Sequence, residues 1–359
     1  MSKKKVLFFL PDDMGGAQRM TITIAQFLDE QSFDVQFVVM GNNKDKPVVK
    51  NIPQGYKILF LKSNIAHKSK LLVNVSKVLK LIWKEKPNYI FASLCSINLI
   101  LLLSSLFCRV KCIIRMDNYL NIESSLARIL IRILYPLAYR IISQQEDMEE
   151  IFRKYVKCKD NQLITIHNPI DKKRIDDRTE KVESPYKDEK DILKFLWVAN
   201  ITYNKGNDIL IKAFEKVHNS IPNAHLYFVG TLKNNPYCDM CLNLVKDKGL
   251  QDYIHFVGYD DNPYRWMKFC DCFVLPSRIE GLPNVLVEAM YLGRPVVATK
   301  CIPFISRMVD DGKNGILCET ENPQALANAM IKAVDLKNFK MTYKPSTADD
   351  FIKIFNLVL

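Results

Sequence analysis

Apolar residues in this chain gather in short dense blocks separated by longer stretches of mixed character. Val6–Leu10, Asp34–Met40, Ile58–Leu61, Tyr89–Ala92 and Lys111–Arg115 are such blocks. Their length and their β-branched or aromatic content predict buried strands. Between them, Arg19 to about Leu28, Lys70–Lys84 and Asn98–Phe107 place apolar residues at helical spacing. A second strand series follows: Lys194–Ala199, His225–Gly230, His255–Val257, Cys272–Pro276 and Pro295–Thr299, again with helical patterns between. Such alternation predicts parallel sheets with helices on both faces. Two series predict two doubly wound α/β domains, residues 1–172 and 191–335. The span 173–190 reads as a connector, because it is rich in charge and contains Ser184-Pro185. Residues 336–359 are expected to end in a helix within Tyr343–Leu359 that packs back across the domains.

Asn88–Cys108 carries no charge over 21 residues, which is long enough to span a bilayer. Asn88, Ser93, Ser96, Asn98, Ser104 and Ser105 interrupt it, so a buried strand followed by a buried helix is the expectation. The net charge of +12 is unevenly placed. Residues 1–190 hold 32 Lys and Arg against 21 Asp and Glu, whereas residues 191–359 hold 19 against 18. Lys46–Arg115 contains 13 basic residues and one acid, Glu85. A basic first half beside a neutral second half implies an anionic partner for the first half, nucleic acid or anionic lipid. Lys68–Lys86 and Ile122–Arg140 mix apolar, aromatic and basic residues, as helices on an anionic membrane surface do. Helices covering a parallel sheet are amphipathic too, so both readings stand at this point.

Ten cysteines are scattered and no secretory signal is evident at Lys3-Lys4-Lys5, so reduced thiols in the cytoplasm are expected. Cys238-x-x-Cys241 and Cys270-x-Cys272 lack a second pair at zinc-site spacing. No metal site is expected.

In an open parallel sheet, ligands bind beyond the carboxyl ends of the strands, and three loops fall there. The first, Pro11 to Arg19, contains Gly15-Gly16, which permits close backbone approach to a ligand. It lacks the third glycine of a dinucleotide fingerprint and the ending of a P-loop. The second, Asn200 to Gly206, places Lys205 just ahead of a helix near Asn207. The third, Ser277–Asn284, holds Glu280. Pro283 suits the first turn of the helix that follows, and Gly293 with Pro295 marks its end. Asn284 and Glu288, four apart, then share one face near its start. Helix N–H groups suit a phosphate, and a carboxylate only accepts hydrogen bonds, which suits hydroxyls. A nucleotide sugar carries both.

These segments resemble the retaining glycosyltransferases of family 4, with two Rossmann-like domains facing across a cleft (the GT-B type). Gly15-Gly16-Ala17-Gln18-Arg19 is similar to the GGAER-like first loop of that family. His167-Asn168-Pro169-Ile170-Asp171 resembles the segment closing its first domain. Lys205-Gly206 matches its phosphate-binding lysine, and Glu280 through Glu288 match its E-x7-E element. The resemblance runs from about residue 4 to 335. It implies a uridine diphosphate sugar as co-substrate, no other cofactor and no metal. It puts Lys205 and Glu280 in the catalytic role and Glu288 on the ribose hydroxyls. The diphosphate is expected on Lys205 and the segment Gly281, Leu282, Pro283, Asn284 and Val285, with Gly15 and Gly16 closing from the other domain. Gly230 and Tyr259 are expected to border the nucleobase.

One departure is notable. The family usually has an arginine where this chain has Asn200, so either Arg278, Arg19 or Arg115 compensates or the donor's phosphates are held less tightly. On the acceptor side Arg115 and Asp117 replace the usual histidine. No Asp-x-Asp metal motif occurs in the chain. The resulting expectation is a cytoplasmic, peripheral membrane transferase that adds a hexose or N-acetylhexosamine to a lipid-linked glycan in surface polysaccharide assembly. An epimerase acting on uridine diphosphate N-acetylglucosamine is the alternative within the same architecture. A basic nucleic-acid-binding protein is the non-enzymatic alternative, which aromatic residues in a basic groove would favour.

Overall fold

The computed structural model describes residues 3–29, 33–41, 45–62, 71–116, 125–186, 191–232, 234–336 and 340–356. The apolar blocks form its strands. In the first half these are β1 (Lys4–Pro11), β2 (Phe33–Met40), β3 (Lys57–Phe60), β4 (Tyr89–Ala92), β5 (Lys111–Arg115), β6 (Arg140–Ser143) and β7 (Leu163–Thr165). They pair in parallel in the order β3-β2-β1-β4-β5-β6-β7. Helices α1 (Gly16–Asp29), α2 (Pro47–Asn51), α3 (Leu71–Glu85), α4 (Cys95–Ser105), α5 (Ser125–Leu134) and α6 (Glu146–Tyr155) connect them. Along β1, Leu7 and Phe9 join one buried cluster and Val6, Phe8 and Leu10 another. Burial on both faces is why such a strand reads as an unbroken apolar run.

The second half repeats the plan. Strands β8 (Leu193–Val198), β9 (Ala224–Val229), β10 (Ile254–Gly258), β11 (Cys272–Leu275), β12 (Val296–Thr299) and β13 (Gly315–Cys318) pair in parallel in the order β10-β9-β8-β11-β12-β13. Helices α7 (Lys172–Thr179), α8 (Asn207–Ser220), α9 (Pro236–Asp247), α10 (Pro263–Phe269), α11 (Asn284–Tyr291), α12 (Ile305–Met308) and α13 (Pro323–Ala333) precede a last helix, α14 (Ala348–Asn356). In each sheet the strand order reverses once, between β1 and β4 and between β8 and β11. The loops leaving those two strands part to opposite faces, which opens a crevice at the sheet's carboxyl edge.

The chain divides into Met1–Pro169 with Pro345–Leu359, and Ile170–Lys344. The span 173–190, read as a connector, contains most of α7, which is fastened to the second unit. Lys268 donates to Thr179 O at 2.6 Å and Tyr291 donates to Asp176 at 2.9 Å. Helix α14 belongs to the first unit. Its Phe355 packs against Phe33, Tyr89 and Phe91, and its carbonyl accepts from the Tyr89 hydroxyl.

Asn88–Cys108 resolves into β4 and α4, whose Ile97 to Leu102 are all buried. Among the described residues no helix is long and apolar enough to cross a membrane. Three strands escape the apolar pattern: β6, β7 and β13, each of three or four residues. The expected amphipathic run Ile122–Arg140 is broken near its end. Helix α5 stops at Leu134, a 3-10 turn holds Tyr135–Leu137, and β6 starts at Arg140. Pro136 lacks the N–H a continuing α-helix needs.

Candidate active site

The loops leaving β8 and β11 meet at the switch point of the second sheet. After β8 the chain makes a 3-10 turn, Tyr203–Lys205, and enters α8 through Gly206 at φ +66°. A Cβ on Gly206 would lie 2.1 Å from the Pro276 carbonyl oxygen, so the two loops touch along their backbones. The Arg278 N–H donates to Asn204 O at 2.8 Å and continues the seam.

That seam sets Lys205 against Glu280. The ammonium donates to both carboxylate oxygens, at 2.7 and 2.8 Å. Glu280 is 7% exposed, and a buried carboxylate needs partners on every side. Ser277 supplies the other one, donating from Oγ to Oε1 at 2.6 Å. Thr299, at the end of β12, donates to the Ser277 carbonyl at 2.6 Å. Glu280 is thus fixed by the sheet, whereas Lys205 reaches it on a flexible stem. Burial pushes the nearby Cys301 thiol up to about 12, and the Glu280 charge adds to that.

Arg278 is placed differently from the expectation that it meets a phosphate. Its guanidinium forks onto Asp208 at 2.8 and 2.9 Å, holds Glu321, and donates to Tyr203 O at 2.7 Å. Its Cζ lies 4.0 Å from the centre of the Tyr203 ring. Burial alone would raise the Asp208 carboxyl, but hydrogen bonds from Arg278 and Tyr237 outweigh it and hold the group below its ordinary range. The Asp208 hydrogen bond foremost raises Arg278 in turn. The charge of Arg278 is therefore engaged in holding α8 and both loops together. Asn200 itself is exposed, and its Oδ1 accepts from Thr231 N at 3.4 Å.

Helix α11 starts at Asn284, with Pro283 one position earlier at its cap. Gly281, Leu282 and Pro283 lead into it, and Asn284 with Val285 open its first turn, in which Leu286 N donates to Pro283 O at 3.0 Å. The helix ends with Gly293 N donating to Met290 O and Arg294 N to Ala289 O. Glu288, one turn in and 7% exposed, accepts from the Tyr264 hydroxyl at 3.4 Å. Gly230 and Tyr259 stand at the carboxyl ends of β9 and β10. A Cβ on Gly230 would overlap the Ala199 carbonyl, and Gly230 N donates to Gly258 O at 2.8 Å. The Tyr259 ring is exposed.

In the first unit, Gly15 accepts from Arg19 N at 3.0 Å, and a Cβ on Gly16 would meet nothing within 4 Å. The backbone is open to approach at Gly16, whereas a Cβ on Gly15 would meet Gln18 Oε1 at 2.9 Å. Arg115, expected on the acceptor side, lies buried at the end of β5. It is 1% exposed and its guanidinium donates to Asn168, so it braces the end of β5 against the segment closing the unit. Asp117 lies outside the described residues. Among the described residues no group of three or more His, Cys, Asp or Glu stands where it could hold a metal ion. Cys238, Cys241, Cys270 and Cys272 are buried free thiols.

Four participants went unnoticed in the sequence: Ser277, Asp208, Tyr237 and Glu321. Asp208 alone left a signal, an acid in the first turn after the lysine-glycine pair. The contact at Gly206 is testable by a paired substitution. Gly249 has the same φ of +66° but open space around its missing Cβ. Gly249→Ala is expected to cost about 1 kcal/mol, the strain of the left-handed backbone. Gly206→Ala adds a clash with main chain and is expected to cost about 2–4 kcal/mol. Denaturant unfolding of the two variants checks this; equal losses would show that the loops are not pressed together.

Two family models match this chain in tandem: Glycosyltransferase Family 4 over residues 14–174 and Glycosyl transferases group 1 over residues 176–349. An uncharacterized glycosyltransferase of Haemophilus influenzae is 27% identical over 93% of this chain and 90% of its own. The N-acetylgalactosamine-N,N'-diacetylbacillosaminyl-diphospho-undecaprenol 4-alpha-N-acetylgalactosaminyltransferase of Campylobacter jejuni is 25% identical over 95% of this chain and 93% of its own. Anabaena HepE, solved with UDP and glucose, shares the fold with a TM-score of 0.75 at 20% identity, covering 92% of this chain and 90% of that one. With both sheets parallel, the lysine and glutamate joined at a switch point, and the two models spanning both halves, the chain belongs to the family 4 glycosyltransferases of the GT-B fold.

Proposed function

We propose that the chain is a retaining transferase that moves a hexose or N-acetylhexosamine from a uridine diphosphate sugar to a lipid-linked glycan in surface polysaccharide assembly. One observation carries the reading: the Lys205 ammonium and the Glu280 carboxylate stand 2.7 Å apart where the β8 and β11 loops meet at the switch point. An ammonium beside a helix start suits a diphosphate, and a carboxylate suits sugar hydroxyls. UDP in the Anabaena structure and the diphospho-undecaprenol acceptor named for the Campylobacter relative support the two sides of the reaction.

In this reading the acceptor hydroxyl attacks the anomeric carbon on the face from which the diphosphate leaves. The bond from that carbon to the phosphate oxygen breaks and its electron pair stays with the diphosphate. The acceptor oxygen bonds to the carbon, and its proton passes to the departing phosphate oxygen. No side chain has to serve as base. The protein's task is electrostatic: Lys205 and the first N–H groups of α11 meet the charge that develops on the leaving group. Glu280 faces the sugar as positive charge develops there, and Glu288 takes the ribose hydroxyls. Since the chain supplies these donors itself, the reading calls for no divalent cation. A lipid-linked acceptor puts the reaction at a membrane, with the protein peripheral on its cytoplasmic face, and the basic first half suits an anionic leaflet.

A panel of uridine, guanosine and adenosine diphosphate sugars tests the donor by thermal shift. A ligand that binds only the folded state at a hundred times its Kd adds about 2.7 kcal/mol. The uridine series is expected to shift the unfolding midpoint and the others to leave it in place. A shift confined to the guanosine or adenosine series would overturn the assignment.

A further inference from the structure

The first unit carries an apolar stripe that its own core does not use. On α5 and the 3-10 turn after it, Leu126, Ile129, Ile133 and Leu137 are between 47% and 63% exposed. Their spacing of three, four and four places them along one side of a helix. The opposite side, with Ile131 and Leu134, is fully used in the core. Arg128 and Arg132, both exposed, flank the stripe one turn apart. Neighbouring members of the same helical layer add exposed Trp83 on α3 and Leu106 and Phe107 after α4. Lys80, Lys84 and Arg109 stand exposed among them. Over the described residues 71–116 and 125–140 the one acid is Glu85, and Lys5 and Lys57 neutralise it.

We propose that this face docks on an anionic bilayer, with α5 lying along the interface, its four aliphatic residues among the acyl chains and its arginines at the lipid phosphates. The proposal rests on the reading of a lipid-linked acceptor and names the surface that reading requires. The charge selects the occupant. A second copy seated here by two-fold symmetry would set Arg128, Arg132 and Lys80 against a like-charged patch, and like charges repel across an interface. A phospholipid surface meets both features at once, apolar insertion and phosphate at the rim. Trp83 is of the residue type that prefers the boundary between the two.

Flotation of the full chain with vesicles of phosphatidylcholine, with and without phosphatidylglycerol, tests the surface. Wild type is expected to float with the anionic vesicles and to lose binding as salt rises. Ile129→Asp with Ile133→Asp is expected to weaken that binding by more than about tenfold. Arg128→Gln with Arg132→Gln is expected to weaken it by about thirtyfold. All four positions are exposed, so the unfolding midpoint should not move. Wild-type binding by either double variant would overturn the proposal, as would failure of wild type to float. So would a stripe variant that turns a wild-type dimer into a monomer, because a second copy would then be the occupant. Vesicle binding decides the surface and the uridine nucleotide shift decides the donor, so the two readings fail separately.

Discussion

Replacing Lys205 with alanine is expected to lower turnover by about 10²–10³-fold at saturating donor, the usual loss when one donor aimed at developing charge is removed. Lys205 is a cation that the second unit brings to the crevice edge, while Arg278 there is engaged by Asp208 and Glu321. In the resting site its ammonium spends two of its three hydrogen bonds on Glu280. The ground-state diphosphate retains the helix N–H groups without it, so donor affinity is expected to fall far less than turnover. That split separates stabilisation of a leaving group from uniform binding. Removing Lys205 also leaves Glu280 buried with Ser277 as its one remaining hydrogen-bond donor among the described residues. A loss of stability is therefore expected alongside, and Lys205→Arg, which keeps the charge, controls for it. Steady-state kinetics on the donor found by thermal shift would decide. If Lys205→Ala raised the donor KM and spared kcat, the lysine would be a binding group and the leaving-group account would fall.

Much of this site was legible in the sequence because its parts sit at strand ends. The turn after Ala199 and the turn after Leu275 each follow a clear apolar block, so Lys205 and Glu280 could be assigned to one sheet edge without coordinates. Their meeting across 75 residues of chain required the strand order, which puts β8 beside β11. Arg278 shows the limit. Its residue type and loop position suit a phosphate, yet its partners Asp208 and Glu321 lie 70 and 43 residues away, and no local pattern announces a fork onto either. Arg115 shows a related limit. A lone arginine at the end of a strand reads as a ligand contact, until Asn168 from the segment after β7 closes over it. The strands β6, β7 and β13 were lost because each offers only two or three consecutive apolar residues (Ile141 and Ile142, Leu163 and Ile164, Ile316 to Cys318), whereas β3, β4 and β11 stand in blocks of four. The stripe on α5 was half legible. Its spacing was plain, but which of its apolar residues the core leaves uncovered depends on how the helix is rolled against the sheet.

Replacing Glu280 with glutamine is expected to move binding and transfer in opposite directions. Glutamine keeps the shape, and its carbonyl still accepts from Ser277, so the loop's anchor to Thr299 persists. What disappears is one negative charge beside the place proposed for a diphosphate. Two unit charges about 6 Å apart at an effective dielectric of 20 interact by about 3 kcal/mol. Lys205 is partly open to solvent, and water and salt bring that toward about 1 kcal/mol. UDP is therefore expected to bind Glu280→Gln about fivefold more tightly, the ammonium no longer being shared with a carboxylate. Transfer loses the anion facing the positive sugar, and turnover is expected to drop about 10²-fold. Calorimetric titration with UDP and kinetics on the sugar nucleotide give the two numbers independently. A purely structural role for Glu280 would weaken both together, and so would a direct contact between Glu280 and the nucleotide. The opposite signs arise because one carboxylate opposes the phosphate through its charge and serves the sugar through the same charge.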